Sequence, residues 1–399
     1  MKKLNRFLSF LVLTALVATS SVTSSAKTTV PDGTDSYSSY VTQSQINGFI
    51  NEEKNLDSMC PWNASTKISK TIPTYNLNNE ISGLIVDLAN QNKPCGYIAY
   101  VLSDRRQPVV SEFCYDGEYT LAGKKVPADI IANKKKLIHV QMLNDLISDG
   151  AKITTLNGIN VSKSKNEIKN EINNEQTIIN TTVSQQENQL ATSKAQKIYK
   201  DVNVTNALND NMFMPAVMGE FSHWSKSGCT VICGVNMLNY WTYCRNISDL
   251  FTLQDYVTTP RFSIAADKLG ARMRTINDAP VLGSVLNGTT YSNGFNGMGA
   301  YLSNDVYDVC AGNDYADNPS WSWITRNISH MIPLCLNADV HNFEGDSRYG
   351  GHSFFAIGFQ ETSTGNYIRV VNEWDTSISH FYNYSINGSQ VANAWYYRW

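Results

Sequence analysis

The segment from Thr230 to Tyr243 constrains this chain more than any other. Val231, Ile232, Val235, Leu238 and Trp241 recur at helical spacing, so the segment reads as a largely buried helix. Gly228 and Cys229 stand immediately ahead of it. A thiol at a helix start faces free backbone N–H groups and the positive end of the helix dipole, and both favour thiolate. Cys229 is therefore the candidate nucleophile. Cys233 lies one turn into the same helix and reads as a small buried hydrophobe. Cys244, Cys310 and Cys335 carry the same reading, or form disulfides.

A base is found by the same positional logic. Ile332 to Asn337, Gly351 to Phe359 and Tyr367 to Trp374 read as three strands, with Thr362 to Asn366 as a turn between the last two. Folding those last two strands together brings His352 near Trp374 and Asn372 to the same end of the hairpin. A histidine at a strand start with an amide on the neighbouring strand is an arrangement that fixes a tautomer. His341 and His223 have no such partner in sequence, and His330 and His380 read as structural or exposed. Thiol, imidazole and amide together make the set that a cysteine hydrolase needs. Glu373 and Asp375 are alternatives to Asn372 as the group that orients the base.

Other chemistries find less support. The net charge is -3 and the lysines are scattered, so no basic stripe for nucleic acid or for a membrane surface is present. The eight cysteines form no pair of CxxC motifs, and no metal or other cofactor is implied. Asp339, Glu344 and Asp346 match no calcium loop in their spacing.

The chain divides by composition. A basic start, Met1 to Arg6, an apolar run from Phe7 to Ala18 and small residues at Ser24 to Ala26 read as an export signal over 1–26. The mature protein is then expected outside the cell, secreted or associated with the cell wall, with no membrane contact once the signal is removed. Residues 27–157 read as a small α+β domain, with strands at Gly96–Leu102 and Gln107–Cys114 and a helix from Lys136 to Leu146. His139 falls on that helix and reads as a surface or satisfied structural residue. Residues 158–200 are rich in Asn, Lys, Gln and Glu, and read as a solvated helix or linker open to cleavage. Residues 201–399 carry the thiol and the imidazole.

Gly228-Cys229-Thr230, the helix ending in Asn236-Met-Leu-Asn-Tyr-Trp241, Gly351-His352 before an apolar strand, and Val371-Asn-Glu-Trp374 resemble the papain-like cysteine peptidases. The similarity lies nearest the bacterial streptopain group and exported relatives of the bacteriocin-leader-processing peptidases. It implies an α+β fold in which a helical part and a twisted antiparallel sheet enclose a cleft. It also implies Cys229 as nucleophile, His352 as base, and Asn372 as the residue of the Asn-x-Trp motif. The N-terminal part is similar to streptopain propeptides, which implies a zymogen whose pro-domain acts as an intramolecular inhibitor. Protein or peptide is then the substrate.

One family feature is absent. No glutamine lies between Gln196 and Cys229, and the position six before the cysteine is His223, the candidate second oxyanion donor. Trp224 and Trp374 are candidates for the cleft walls. Two further readings remain beside the endopeptidase: a cell-wall peptide amidase or transpeptidase on the same site, and a non-enzymatic binding protein on a degenerate scaffold.

Overall fold

Thr42 starts the first helix, α1 (Gln43–Leu56), through a reciprocal capping box with Gln45. Ile46, Phe49 and Ile50 form the buried face of α1. They pack with Trp62 against an antiparallel meander of β1 (Thr66–Tyr75), β2 (Ile81–Asn90), β3 (Lys93–Leu102) and β4 (Pro108–Cys114). The two strands read from sequence around residues 103–106 are β3 and β4. A small hairpin of β5 (Thr120–Leu121) and β6 (Lys124–Lys125), followed by the short helix α2 (Ala128–Ile131), contributes Leu121, Val126 and Ile130 to a second core over Ile72 and Ile85. The computed structural model describes residues 40–399 apart from 122, 142–143, 157–159, 162–164, 193–199, 208–212, 225–227, 276–288, 308–309 and 340–350. The segments read as an export signal and most of the loop holding His341, Glu344 and Asp346 lie outside the described residues.

The helix expected from Lys136 to Leu146 is instead two strands, β7 (Lys136–Gln141) and β8 (Asn144–Ser148), followed by β9 (Ile153–Thr155). The reason is tertiary. Leu137 enters the core beside Ile72, while the adjacent Ile138 enters another with Leu146 and Ile168. A strand buried on both faces loses the alternation that would mark it in sequence. β7 also gains a parallel partner in β1, which lies far away in the chain. The polar segment that follows forms α3 (Lys165–Thr192). It is less solvated than its composition implies, since Ile168, Ile179 and Val183 are buried against the sheet. His139 is a partly buried structural residue on a strand: its Nδ1 lies 2.9 Å from Asp145, while its Nε2 stands 3.6 Å from Glu175 of α3, beyond hydrogen-bond distance.

The C-terminal half opens with β10 (Lys200–Asn203) and then the buried helix α4 (Cys229–Asn239), which continues as a π-turn through Tyr240–Cys244. Helices α5 (Leu253–Val257), α6 (Ser263–Arg272) and α7 (Tyr291–Tyr301) surround it. There follow β11 (Gly312–Asp317), α8 (Trp321–Ser329), β12 (Leu334–Asp339), β13 (Gly351–Glu361), β14 (Asn366–Val371), β15 (His380–Asn383), α9 (Tyr384–Asn387) and β16 (Val391–Arg398). Helix α4 lies on β12 and β13, with Val231, Ile232 and Val235 among its fully buried side chains.

Both halves share one mixed sheet, in the order β11-β16-β12-β13-β14-β15-β4-β3-β2-β1-β7-β8-β9, with β10 paired to β13. The seam is β15 against β4, where His380 faces Cys114 and Phe381 faces Phe113. The phenyl rings of that last pair stack at 4.4 Å. Tyr367 and Phe381 belong to the same core as α1 and Trp62. The described residues thus form one compact α+β unit spanning both segments that composition separates. Among the described residues no helix is long and apolar enough to cross a membrane.

Candidate active site

Cys229 is the first residue of α4, and Gly228 before it offers no side chain to cap the helix. The glycine is required there, because a Cβ on it would come within 2.4 Å of the Trp224 Cβ. Among the described residues no side chain caps this start, so the N–H groups of the first turn face the thiol. Cys229 is half-buried, whereas every later residue of α4 is buried. Cys233 is fully enclosed, its Sγ reaches the Phe354 carbonyl at 3.4 Å, and burial pushes its thiol well above the usual range. Burial also raises Cys335. All eight cysteines are free thiols, so no disulfide removes any of them from consideration.

His352 occupies the second position of β13 and is 8% exposed. Its ring stacks on Trp374 with centroids 4.2 Å apart and planes at 14°. This is the proximity expected from folding β13 on β14. The imidazole Nε2 lies 2.7 Å from the Asn372 carbonyl oxygen. A carbonyl can only accept, so the proton sits on Nε2 and the Nδ1 lone pair is the basic one. Burial lowers the His352 pKa to about 4, with the Asn372 carbonyl acting in the opposite direction. The ring is therefore neutral at pH 7.

Two contacts dock the start of α4 beside the start of β13. Thr230 Oγ1 and Ser353 Oγ lie 2.7 Å apart, and these are the residues directly after Cys229 and His352. The second contact is the one from Cys233 to Phe354 described above. Ser353 in turn donates to Asn337 Oδ1 at 2.5 Å, and Asn337 donates to Asn393 at 2.7 Å, which ties the pair to β12 and β16. Neither hydroxyl was singled out from sequence. Their signal was position alone, one residue beyond each candidate.

Asn372 reaches His352 by its main chain. Its side-chain Oδ1 accepts from the N–H groups of Trp374 at 3.0 Å and Asp375 at 3.3 Å, and its Nδ2 faces His380 Nε2 at 2.9 Å. The amide thus shapes the loop that carries Trp374. The side-chain contact that the Asn-x-Trp resemblance implies is not the one present. The two alternative orienting groups also face elsewhere. Asp375 meets His380 at 2.9 Å. Glu373 accepts from Asn236 Nδ2 at 3.0 Å. Glu373 is fully buried in a left-handed backbone conformation (φ 67°), and burial raises its pKa well above the carboxylate range. Its main-chain oxygen accepts from Met218 N at 2.9 Å. Glu373 thereby links α4, the Trp374 loop and the 3-10 turn Met218–Glu220 that precedes His223.

His223 is largely exposed, with its ring stacked on Trp224 at 4.5 Å and its Nδ1 3.8 Å from Asp267. Trp224 is 5% exposed and donates from its indole to Asp267 at 2.9 Å. It packs beneath Gly228 and Gly270, so it supports the start of α4 rather than forming an open wall. Trp374 lies over the base. The N-terminal half reaches this side of the site: a Cβ on Gly123, at the turn between β5 and β6, would meet the Trp374 Cβ at 2.9 Å. Beside it, Asp116 accepts from Ser377 at 2.6 Å and from Ser379 at 2.7 Å. His380, at the seam, is a buried structural histidine, and His330 is exposed with Nδ1 on the Arg326 carbonyl.

No family model and no curated protein matches this chain. Among solved structures it is similar to a C39-like peptidase from Bacillus anthracis, with 15% identity and a TM-score of 0.31, over 50% of this chain and 97% of that one. It is also similar to digestive procathepsin L 3 of the Tenebrio molitor larval midgut, with 12% identity and a TM-score of 0.22, over 59% of this chain and 95% of that one. Likenesses at this level carry no argument about activity, which rests on the site itself.

Proposed function

We propose that this chain is an exported cysteine endopeptidase made as a zymogen. The observation that carries the proposal is the one half-buried thiol at an uncapped helix start, docked through Thr230 and Ser353 beside a histidine whose Nδ1 is free to take a proton. In the proposed reaction His352 Nδ1 accepts the Cys229 proton, and the thiolate attacks a peptide carbonyl. The oxyanion is held by the Cys229 N–H, with His223 as the candidate second donor. Imidazolium then protonates the leaving amine, and water hydrolyses the thioester to release the acid and restore the thiol.

The N-terminal half supports the zymogen reading through its contact with Trp374. That indole covers His352, and the β5–β6 turn backs the indole. The neutral, buried imidazole fits a covered state, because a thiolate–imidazolium pair needs the histidine to hold its proton. The polar segment 158–200 is the expected place of cleavage.

The test is to express the full chain, cleave it after α3, and measure casein hydrolysis and iodoacetamide labelling. Cys229→Ala should abolish both, and His352→Ala should lower kcat/KM by about 10²- to 10⁴-fold, the usual weight of a general base. Asn372→Ala keeps the carbonyl that orients His352 and should cost far less than His352→Ala. Labelling at another cysteine, or activity that survives both active-site changes, would sink the assignment. A folded C-terminal part, separated from the N-terminal part after cleavage, that turns over no peptide would instead favour the binding-protein reading, and cleavage of cell-wall peptides without casein the amidase one.

A further inference from the structure

The C-terminal end of α4 carries a second concave site that the proposed chemistry does not use. A cavity of about 380 Å³ opens between the π-turn, the end of α8 and the last strand. Three guanidinium groups line it, Arg245 after the π-turn, Arg326 on α8 and Arg398 at the end of β16, together with the exposed His330. Among the described residues none of the three arginines has an ion-pair partner. Asp314 of β11 lies opposite Tyr396 of β16 and accepts from Tyr315 N at 2.9 Å, and among the described residues it forms no ion pair with these arginines. In a chain of net charge -3, such a concentration of unpaired arginine is a local feature, not a reflection of overall composition.

The remaining walls are aromatic. Trp241 and Trp399 lie 5.6 Å apart, and Tyr396 stands beside them. Trp241 is 4% exposed, and its indole donates to the Tyr397 carbonyl at 2.9 Å, so this side of the cavity is rigid. Arginine forks match the oxygens of phosphate and sulfate groups, and flat indole faces match rings. π-turns inside helices recur at functional sites, and here one sets the direction in which Arg245 leaves the helix.

We propose that this pocket binds a ring-bearing oxyanion, a phosphate or sulfate ester of a sugar or an aromatic alcohol. The charged group engages Arg326, Arg398 and Arg245, and the ring lies against the half-buried Trp399, with Trp241 as the rigid wall behind it. By helical rise the pocket is roughly 20–25 Å from Cys229, so binding there does not depend on the peptidase reading.

Calorimetric titration of the full chain tests the proposal with glucose 6-phosphate, glucosamine 6-sulfate, inorganic phosphate, inorganic sulfate and glucose. At least one ester should bind about 10-fold or more tightly than its inorganic anion, and glucose should not bind. Tighter binding of one ester than the other supports the proposal and identifies the charged group. The double change Arg326→Ala with Arg398→Ala removes two exposed, unpaired side chains, and circular dichroism should show the fold intact. It should weaken the ester about 10- to 100-fold, as expected on losing charge-assisted hydrogen bonds. Arg245→Ala, on a different element, should weaken it independently. Equal affinity in the double variant, inorganic anions binding as tightly as the esters, or no binding by either ester would each overturn the proposal.

Discussion

His352 keeps its proton on Nε2 because the partner there is a carbonyl, and this detail leaves the Nδ1 lone pair as the basic one, as the proposed reaction requires. The residue after that carbonyl, Glu373, has a different constraint. It is a carboxyl taken fully out of water and hydrogen-bonded to a neutral amide, so the native state holds it protonated. In the unfolded chain it ionises above its ordinary pKa of about 4.3. As pH rises from there, the unfolded state sheds this proton while the native state keeps it, and native stability falls. Glu373→Gln retains the acceptor for Asn236 and does not titrate. Relative to the parent chain, the variant should therefore gain stability as the pH rises from 4 to 8. Urea unfolding at the two pH values measures this; a difference independent of pH would show that the buried carboxyl is not the group responsible.

At the scale of elements, the site is made where α4, β13 and the loop after β14 converge, and the turn between β5 and β6 packs against Trp374 of that loop. Gly123 makes that packing possible, since its φ of 74° and its approach to Trp374 both exclude a side chain. Gly123→Val should lift the hairpin from Trp374 at a cost of about 1–3 kcal/mol in strain. The alkylation rate of Cys229 in the uncleaved chain should then rise. An unchanged rate in a folded variant would mean that the hairpin does not cover the site. The strands β12, β13 and β14 were legible in sequence because each is a short apolar run between turn residues. β7 and β8 were not, because their burial comes from two cores at once and from a partner distant in the chain.

At the scale of the molecule, the two halves behave as one body because they share strands and a core. Arg369 of β14 and Asp57, just beyond α1, form an ion pair in which neither side chain is exposed. Breaking such a pair from one side strands a buried charge and costs about 3–5 kcal/mol. Asp57→Ala should lower stability by that amount and should do so for both halves together. Fluorescence and circular dichroism monitored through urea unfolding should give coincident transitions. Separate transitions, with the C-terminal half unaffected, would contradict the shared core. The same packing implies that a chain cut after α3 keeps its two parts associated until something separates β4 from β15.

By itself the sequence determined the local chemistry: a buried helix headed by Gly-Cys, a histidine at a strand start, and an Asn-x-Trp segment folding back beside it. Periodicity and turn residues act over a few positions, so they could choose Cys229 over Cys233 and bring His352 to Trp374. Tertiary structure alone decided which atoms meet. It set the Asn372 carbonyl, not its amide, against His352, buried the Glu373 carboxyl against Asn236 of α4, and merged the two halves into one sheet. Those outcomes depend on contacts between residues far apart in the chain, where burial and pairing override what any local pattern can encode.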